Sequence, residues 1–156
     1  MSFLKRLWPA RSVGAEVGSP ADMVLTVLAG QRRRVEPSLP PATAPGKMRI
    51  HLFAGDFASQ SAAWHYCFYQ DNNRPEDITR DLPDAYIDTT HVEARFGDYE
   101  ARLDEFLLPG DVADVVSRMA GANTLVIIAE PAFAGIAYAL SDTPRLRYLG
   151  PLVVNV

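Results

Sequence analysis

The chain has 156 residues, of which 48% are hydrophobic and 22% are charged, and its formal net charge is −4. This composition is typical of one folded domain and excludes global disorder. Cys67 is the only cysteine, which excludes an intramolecular disulfide and a multi-cysteine metal cluster and favours a reducing, cytoplasmic compartment. The apolar run Met23–Gly30 is far shorter than the roughly 20 residues that span a bilayer.

Charge divides the chain into two parts. Residues 1–49 carry eight basic and three acidic residues, whereas residues 50–156 carry seven basic and sixteen acidic residues. Four prolines between Pro37 and Pro45 indicate a semi-extended linker, because proline fits neither a helix interior nor a sheet interior. We therefore predict a basic, Pro-rich extension over residues 1–47, with one helix at Ala21–Gln31, and an acidic domain over residues 48–156.

The start of the chain has an amphipathic pattern. Its apolar and basic residues are Phe3, Leu4, Leu7 and Trp8 with Lys5, Arg6 and Arg11. The polar stretch Ser12–Asp22 separates these bases from the next apolar run, so we do not expect a signal peptide. Contact of this segment with a membrane is one alternative function, that of a membrane-associated adaptor. The basic run Arg32–Arg34 is typical of a solvated segment or of one that pairs with acids of its own protein, and the alternative is contact with phosphates or an acidic membrane.

The first elements of the acidic domain follow directly after the linker. Residues 48–54 alternate in polarity, which predicts a strand. One face would carry Met48, Ile50, Leu52 and Ala54, and the other Arg49, His51 and Phe53. Residues 59–69 then predict a helix, with Ser59 or Asp56 as its cap. The spacing of Trp64, Cys67 and Phe68 on this helix predicts a stripe that faces the sheet.

The second half of the domain predicts further strands and helices. Residues 85–96 predict a second strand, residues 99–107 one or two helical turns, and residues 111–120 a helix capped by Asp111. The apolar run Thr124–Ala129 predicts the most buried strand. Residues 136–140 and 146–154 predict a terminal hairpin. The expected fold class is α+β, a single small domain with a mixed sheet of about five strands packed against two or three helices.

Acidic residues are concentrated between Asp71 and Asp114, where thirteen acids face four arginines. One interpretation is a solvated surface that maintains solubility. The other is a surface that attracts a basic partner, to which exposed tyrosines would add contact area. The predicted partner-binding residues are Asp84, Tyr86, Asp88, Glu93, Asp98, Tyr99, Asp104 and Glu105.

Motifs for catalysis, nucleotides and metals are absent from the sequence. The chain has no G-x-S-x-G, G-x-G-x-x-G or H-x-x-x-H pattern, so we predict no catalytic residue, no metal ligand and no cofactor. A small enzyme or metal-binding protein that uses His91, Asp88 and Glu93 remains an alternative. The acidic domain also argues against nucleic acid as a partner.

Four short motifs carry a resemblance to a known family. They are Gly55-Asp56-Phe57, a Ser-started helix that reaches Tyr66 or Tyr69, the acidic aromatic segment 84–88, and a late helix that runs into Ala122-Asn123-Thr124. Over roughly residues 48–129 the chain resembles the Imm22-type immunity proteins of bacterial polymorphic toxin systems. The resemblance implies a non-catalytic inhibitor that binds a cognate toxin domain, expected here to be basic, in the bacterial cytoplasm.

Overall fold

A computed structural model describes residues 34–156, of which Glu36–Val156 form one compact unit. Strand β1 comprises Lys47–Gly55, β2 Val92–Phe96, β3 Thr124–Ala129 and β4 Leu146–Asn155. The predictions for the N-terminal amphipathic segment and for the helix at residues 21–31 lie outside the described residues.

The strands form one sheet in the order β2-β3-β1-β4, and every neighbouring pair is antiparallel. The apolar strand β3 lies in the interior of the sheet, between β2 and β1, as its sequence predicts. The α+β class is therefore confirmed, but the described sheet has four strands rather than five and is antiparallel rather than mixed.

Four α-helices accompany the sheet in the described residues: α1 (Gln60–Phe68), α2 (Asp77–Asp81), α3 (Tyr99–Asp104) and α4 (Pro109–Met119). Helix α1 begins after Ser59, whose Oγ accepts a hydrogen bond from the Ala62 N–H at 3.1 Å, so of the two predicted caps Ser59 is confirmed and Asp56 is not the cap. Helix α4 begins after Leu108 instead, and Asp111 is not its cap. Pro109 explains the earlier start, because proline suits the first helical position, where no N–H is needed.

The hydrophobic residues form two cores, one on each face of the sheet. Phe53 belongs to the first core, which includes buried residues of α1 and α2, and Leu52 belongs to the second core, which includes buried residues of α3 and α4. Adjacent strand residues point to opposite faces, so β1 contributes alternately to both cores. The predicted alternation, with Ile50 and Leu52 on one face and His51 and Phe53 on the other, is confirmed.

The predicted terminal hairpin is wrong. Residues 136–140 form no strand, and Tyr138 makes only an isolated bridge with Ser38 in the linker. Strand β4 pairs with β1 along its whole length, and within residues 34–156 no strand pairs with its outer edge. Tyr138 is instead buried in the first core and Leu140 packs against it, which does not require a strand, whereas Ile136 is 51% exposed.

Two further expectations need correction. The second strand begins at Val92 rather than at residue 85, because a short 3₁₀-helix, Thr89–His91, precedes it and is capped by Asp88. On α1, Ala63, Tyr66 and Cys67 face the first core, whereas Trp64 is 59% exposed and does not face the sheet. Burial of Cys67 is confirmed, and desolvation raises the pKa of its thiol to about 12.

Candidate functional site

The eight predicted partner-binding residues flank the edge strand β2 from both faces of the sheet. Asp84, Tyr86 and Asp88 lie in the connection after α2, whose Ala85 and Ile87 pack against the first core. The other group, from Asp98 to Glu105, lies at and around α3, which packs against the second core through Leu103. Glu93 lies between the two groups, on β2 itself.

The first of these groups is partly engaged within the protein. Oδ1 of Asp88 accepts hydrogen bonds from the N–H of Thr90 at 3.0 Å and from its hydroxyl at 2.7 Å, and these bonds lower the pKa of the carboxyl. The backbone carbonyl of Asp84 accepts a bond from the N–H of Ala139 at 3.0 Å. Tyr86 is 55% exposed, so this tyrosine is available to solvent as the sequence predicts.

Glu93 is held by two arginines. Its Oε1 accepts bonds from Arg95 Nε at 2.6 Å and Arg102 Nε at 2.8 Å, and its Oε2 accepts one from Arg102 Nη2 at 3.1 Å. Burial raises the pKa of Glu93, but the bonds from Arg102 and Arg95 outweigh it and lower the pKa overall. Arg102 also pairs with Glu105. The charges of Glu93 and Glu105 are therefore balanced locally.

Other carboxylates around α3 and α4 are exposed and have no ion-pair partner within residues 34–156. They are Asp98, Glu100, Asp104 and Asp111, and together we call them the acidic helix surface. Between residues 98 and 114 the chain has six acids and one arginine. Tyr99 is half-buried and packs against the second core beneath this surface. Leu108, which is 73% exposed, adds an apolar residue between the two helices.

A cavity of about 330 Å³, which we call the sheet groove, lies on the same face of the sheet. Its apolar lining includes Ile50, Ile127 and Phe106, and its polar lining includes His91, Glu93 and Arg102. Such a groove suits an apolar group whose neighbour is polar or charged.

A buried polar network lies on the other face. His51 is 4% exposed, and its Nδ1 and Nε2 are each 2.8 Å from a tyrosine hydroxyl, those of Tyr148 and Tyr138 respectively. A neutral imidazole has one N–H and one bare nitrogen, so it donates to one tyrosine and accepts from the other. Burial, aided by the nearby charge of Arg49, lowers the pKa of His51 to about 4. His51 lines neither of the cavities described here.

A larger cavity of about 570 Å³ lies beside the C-terminal end of α4 and the start of β4. Two arginines line it, but both are engaged. The guanidinium of Arg145 lies 4.8 Å from the ring centre of Phe57, and Arg147 Nη2 donates to the carbonyls of Arg118 and Met119. The bonds of Arg147 stabilise the end of α4. Asp142, which also lines the cavity, accepts the N–H of Tyr148 at 2.8 Å.

The residues that carry the family resemblance have a structural role here. The N–H of Phe57 donates to Oδ1 of Asn123 at 3.0 Å, and Nδ2 of Asn123 donates back to the Phe57 carbonyl at 2.8 Å. Oδ1 of Asp56 accepts the N–H of Asn123 at 3.1 Å. A Cβ on Gly55 would lie 2.7 Å from Leu146, so only glycine fits there. These motifs join the end of β1 to the start of β3.

The outer side of α1 carries aromatic residues that the predicted inward stripe missed. Trp64 packs against Phe68 with ring centres 5.3 Å apart, and His65 stacks on Tyr69 at 4.2 Å. Trp64 and Tyr69 are at least half exposed. The spacing W-H-x-x-F-Y is the signal for this surface, because two adjacent pairs four residues apart lie on one side of a helix.

Within residues 34–156, no group of three or more His, Cys, Asp or Glu side chains is arranged to hold a metal ion. The helices of the same part of the chain include none with the length and apolar character needed to cross a membrane. No protein-family model, curated protein or solved structure matches the chain.

Proposed function

We propose that this protein is a non-catalytic inhibitor of the immunity type, which binds and neutralises a basic toxin domain through the acidic helix surface. The observation that carries the proposal is the set of exposed carboxylates at α3 and α4 that have no ion-pair partner among residues 34–156. An unbalanced negative surface attracts a basic partner from a distance and orients it before contact.

The chemistry of the partner follows from this charge. A toxin that cleaves nucleic acid has a basic active site because it must attract phosphate, and fixed carboxylates can occupy such a site without any reaction. The Glu93–Arg102–Glu105 network lies beside these carboxylates and holds α3 against β2. The partner therefore meets a surface that is largely formed before binding, which reduces the entropy lost on association.

The sheet groove supports the same location. Phe106 follows α3 directly and lines the groove, so the apolar cavity and the acidic helix surface share one face of the sheet. A basic partner that inserts one apolar side chain here would gain hydrophobic burial in addition to electrostatic attraction. Electrostatic attraction then mainly sets the association rate, and the groove mainly sets the lifetime of the complex.

The alternative of an enzyme that uses His91, Asp88 and Glu93 finds less support. Both carboxylates have lowered pKa values, so neither is suited to accept a proton near neutral pH. Asp88 is bonded to Thr90, and Glu93 is paired with two arginines. These contacts stabilise the conformation of the chain around β2.

The test begins with the sequence of the neighbouring genes, and it measures protection and association rate with a toxin domain identified among them. Co-expression is expected to protect cells, and the association rate is expected to fall as salt rises. A double variant, Asp98→Lys with Asp104→Lys, should slow association by about tenfold or more at low salt. The matched control, Glu36→Lys with Asp71→Lys, makes the same change in net charge at exposed positions away from α3 and α4.

Two results would contradict the proposal. The first is a toxin that kills cells equally well with and without this protein. The second is an equal loss of association rate in the two double variants, which would show that only net charge matters and that the acidic helix surface is a solubility surface.

A further inference from the structure

The outer side of α1 is uncharged. Residues 57–70, which contain this helix, include no Asp, Glu, Lys or Arg, and they form the longest such run in the chain. Two copies of a protein with a net charge of −4 repel each other, and the repulsion is strongest where their acids meet. An uncharged surface is therefore where two copies can approach each other most closely.

Aromatic side chains occupy this uncharged surface. Trp64 is 59% exposed and Tyr69 is 50% exposed, whereas Phe68 is half-buried and packs against the first core. The ring of Trp64 lies against that of Phe68, and the ring of Tyr69 stacks on that of His65. These contacts restrict the rings before a partner arrives, so less side-chain entropy is lost on association. Tryptophan and tyrosine are also among the residues that most often dominate the energy of an interface.

The position of Trp64 suits a two-fold axis. This residue is at the middle of Gln60–Phe68, a helix that is about 14 Å long. When two such helices pair antiparallel about a two-fold axis, the middle of one meets the middle of the other. Trp64 would then pack against its counterpart, with the exposed polar residues Gln60, Ser61 and His65 around it. An aromatic centre with a polar rim is typical of protein interfaces.

Other surfaces within residues 34–156 are less suited to a second copy. Self-association through the acidic helix surface would bring carboxylates of the two copies together, and like charges repel. The outer edge of β4 contains Pro151, and the pairing of β4 with β1 shifts register between Leu52 and Phe53. A proline and an irregularity in an edge strand both oppose the addition of another strand.

We propose that the outer side of α1 is the dimer interface of this protein, in which two α1 helices pack antiparallel with Trp64 at the centre. The partner is a second copy of the chain and not the basic toxin. Helix α1 offers no carboxylate to a basic surface, whereas a second copy brings the same uncharged aromatic side chains.

The size of the surface sets the strength of the dimer. The exposed parts of Trp64 and Tyr69 amount to about 250 Å² per copy, or roughly 500 Å² for the pair. Specific stable interfaces bury about 1,200 Å² or more, and smaller ones are transient. We therefore expect a dissociation constant on the order of 10 μM or weaker.

This inference does not depend on the toxin-binding function. Helix α1 packs against the first core, whereas α3 and α4 pack against the second core on the other face of the sheet. Dimerisation through α1 therefore leaves the acidic helix surface of each copy open to a toxin domain.

The first experiment measures the mass of the full-length chain by sedimentation equilibrium between about 1 and 300 μM, a range that brackets this dissociation constant. The mass is expected to rise from 17.1 kDa toward twice that value. The double variant Trp64→Ala with Tyr69→Ala should weaken dimerisation by about tenfold or more. Leu108→Ala is the matched control, since it removes an exposed apolar side chain at the start of α4, and it should dimerise like the unchanged chain.

The second experiment shows whether α1 itself forms the contact. Trp8 and Trp64 are the two tryptophans of the chain, so in the variant Trp8→Phe the tryptophan emission reports on Trp64 alone. Its emission maximum is expected to shift to shorter wavelength over the concentrations at which the dimer forms, because the indole ring leaves water.

Several results would overturn the proposal. One is a chain that stays monomeric over the whole range, and another is a dimer that forms without the shift or equally well in the double variant. Emission already at short wavelength in the monomer would show that another part of the chain covers Trp64, and a shift only on addition of toxin would show that the toxin binds there. Melting temperatures confirm that each variant is folded. Since dimerisation is measured without toxin, failure of this proposal is distinguishable from failure of the proposed function.

Discussion

The two faces of the sheet are built in the same way but present different chemistry to solvent. Phe53 and Leu52, adjacent on β1, are both fully buried, one in each core. On the outer side of the first core, α1 exposes Trp64 and Tyr69. On the outer side of the second core, α3 and α4 expose carboxylates without ion-pair partners within residues 34–156.

This difference shows that packing and recognition are separable in this fold. Both cores need only apolar residues at alternating strand positions and at helical spacing, and many sequences meet that requirement. The solvent-facing side is not constrained by packing. Its aromatic residues on one face and its unbalanced acids on the other are therefore the features that distinguish possible partners.

The largest expected effect is the loss of stability when one buried side chain is truncated in either core. Phe53→Ala should lower the free energy of unfolding by about 3–5 kcal/mol and Leu52→Ala by about 2–5 kcal/mol, because each leaves a cavity among residues that relax only partly. Urea denaturation measures both. Val153→Ala, at a position on β4 that is half exposed, should change stability by less than about 0.5 kcal/mol. A small loss for only one of the two core variants would show that its face contributes little to stability.

The next-largest expected effect is a loss of stability at acidic pH. Its source is His51, which lies on one face of the sheet. The pKa of this histidine is lowered to about 4 in the folded protein from an ordinary value of 6.5. Between these values the unfolded chain binds the proton and the folded protein does not, so stability falls as pH falls from 6.5 to 4 and is unaffected above 6.5. The expected loss is on the order of 3 kcal/mol, and denaturation at a series of pH values measures it.

Substitution of His51 separates its contribution from that of the carboxylates. His51→Phe should be less stable at pH 7, because it leaves the hydroxyls of Tyr138 and Tyr148 without their shared partner. Its stability should then change less than that of the unchanged protein between pH 6.5 and 4. His91→Asn, at an exposed position, is the control and should keep the original pH dependence. Equal pH dependence in all three proteins would rule out His51 as the source.

Local patterns in the sequence predict much of this fold. The alternation in β1, the cap at Ser59 and the buried strand β3 are all encoded by residues within one element. The prediction of a terminal hairpin is wrong because Tyr138 pairs with Ser38, which is far away in the chain, and not with a neighbouring strand. The prediction that Trp64 faces the sheet is wrong because α1 has apolar residues on both sides, so spacing alone cannot decide which side is buried.

The candidate site is less predictable for the same reason. Concentration of acids between residues 71 and 114 is visible in the sequence, but which carboxylates are balanced depends on contacts between elements, as Glu93 and Arg102 show. The His51 network joins β1 to tyrosines 87 and 97 residues away. Nothing near His51 in the sequence signals this arrangement.

Substitutions on the aromatic face test which of the two outer surfaces binds the toxin. If the acidic helix surface is the binding site, the double variant Trp64→Ala with Tyr69→Ala should leave the association rate within about twofold, since side chains outside an interface contribute little. The double lysine variant at Asp98 and Asp104 should have the larger effect on the same measurement, stopped-flow association at low and high salt. The reverse order of effects would show that the toxin binds at α1 instead.

The smallest expected effect compares one strained residue on each face. Ala120 ends α4 and Ala134 ends the 3₁₀-helix Glu130–Phe133, and both are left-handed, with φ of 50° and 52°. This conformation costs a residue with a Cβ about 1–2 kcal/mol, whereas glycine adopts it freely but loses about 0.5–1 kcal/mol more in backbone entropy on folding. Ala120→Gly and Ala134→Gly should therefore each stabilise the protein by about 0.5 kcal/mol. Thermal denaturation of the single and double variants measures this, and the two gains should add because the two residues are exposed and end separate elements. Ala113→Gly, at an exposed position inside α4, is the matched control and should destabilise by about 1 kcal/mol. Destabilisation by both cap variants as well would show that the left-handed alanines are not strained.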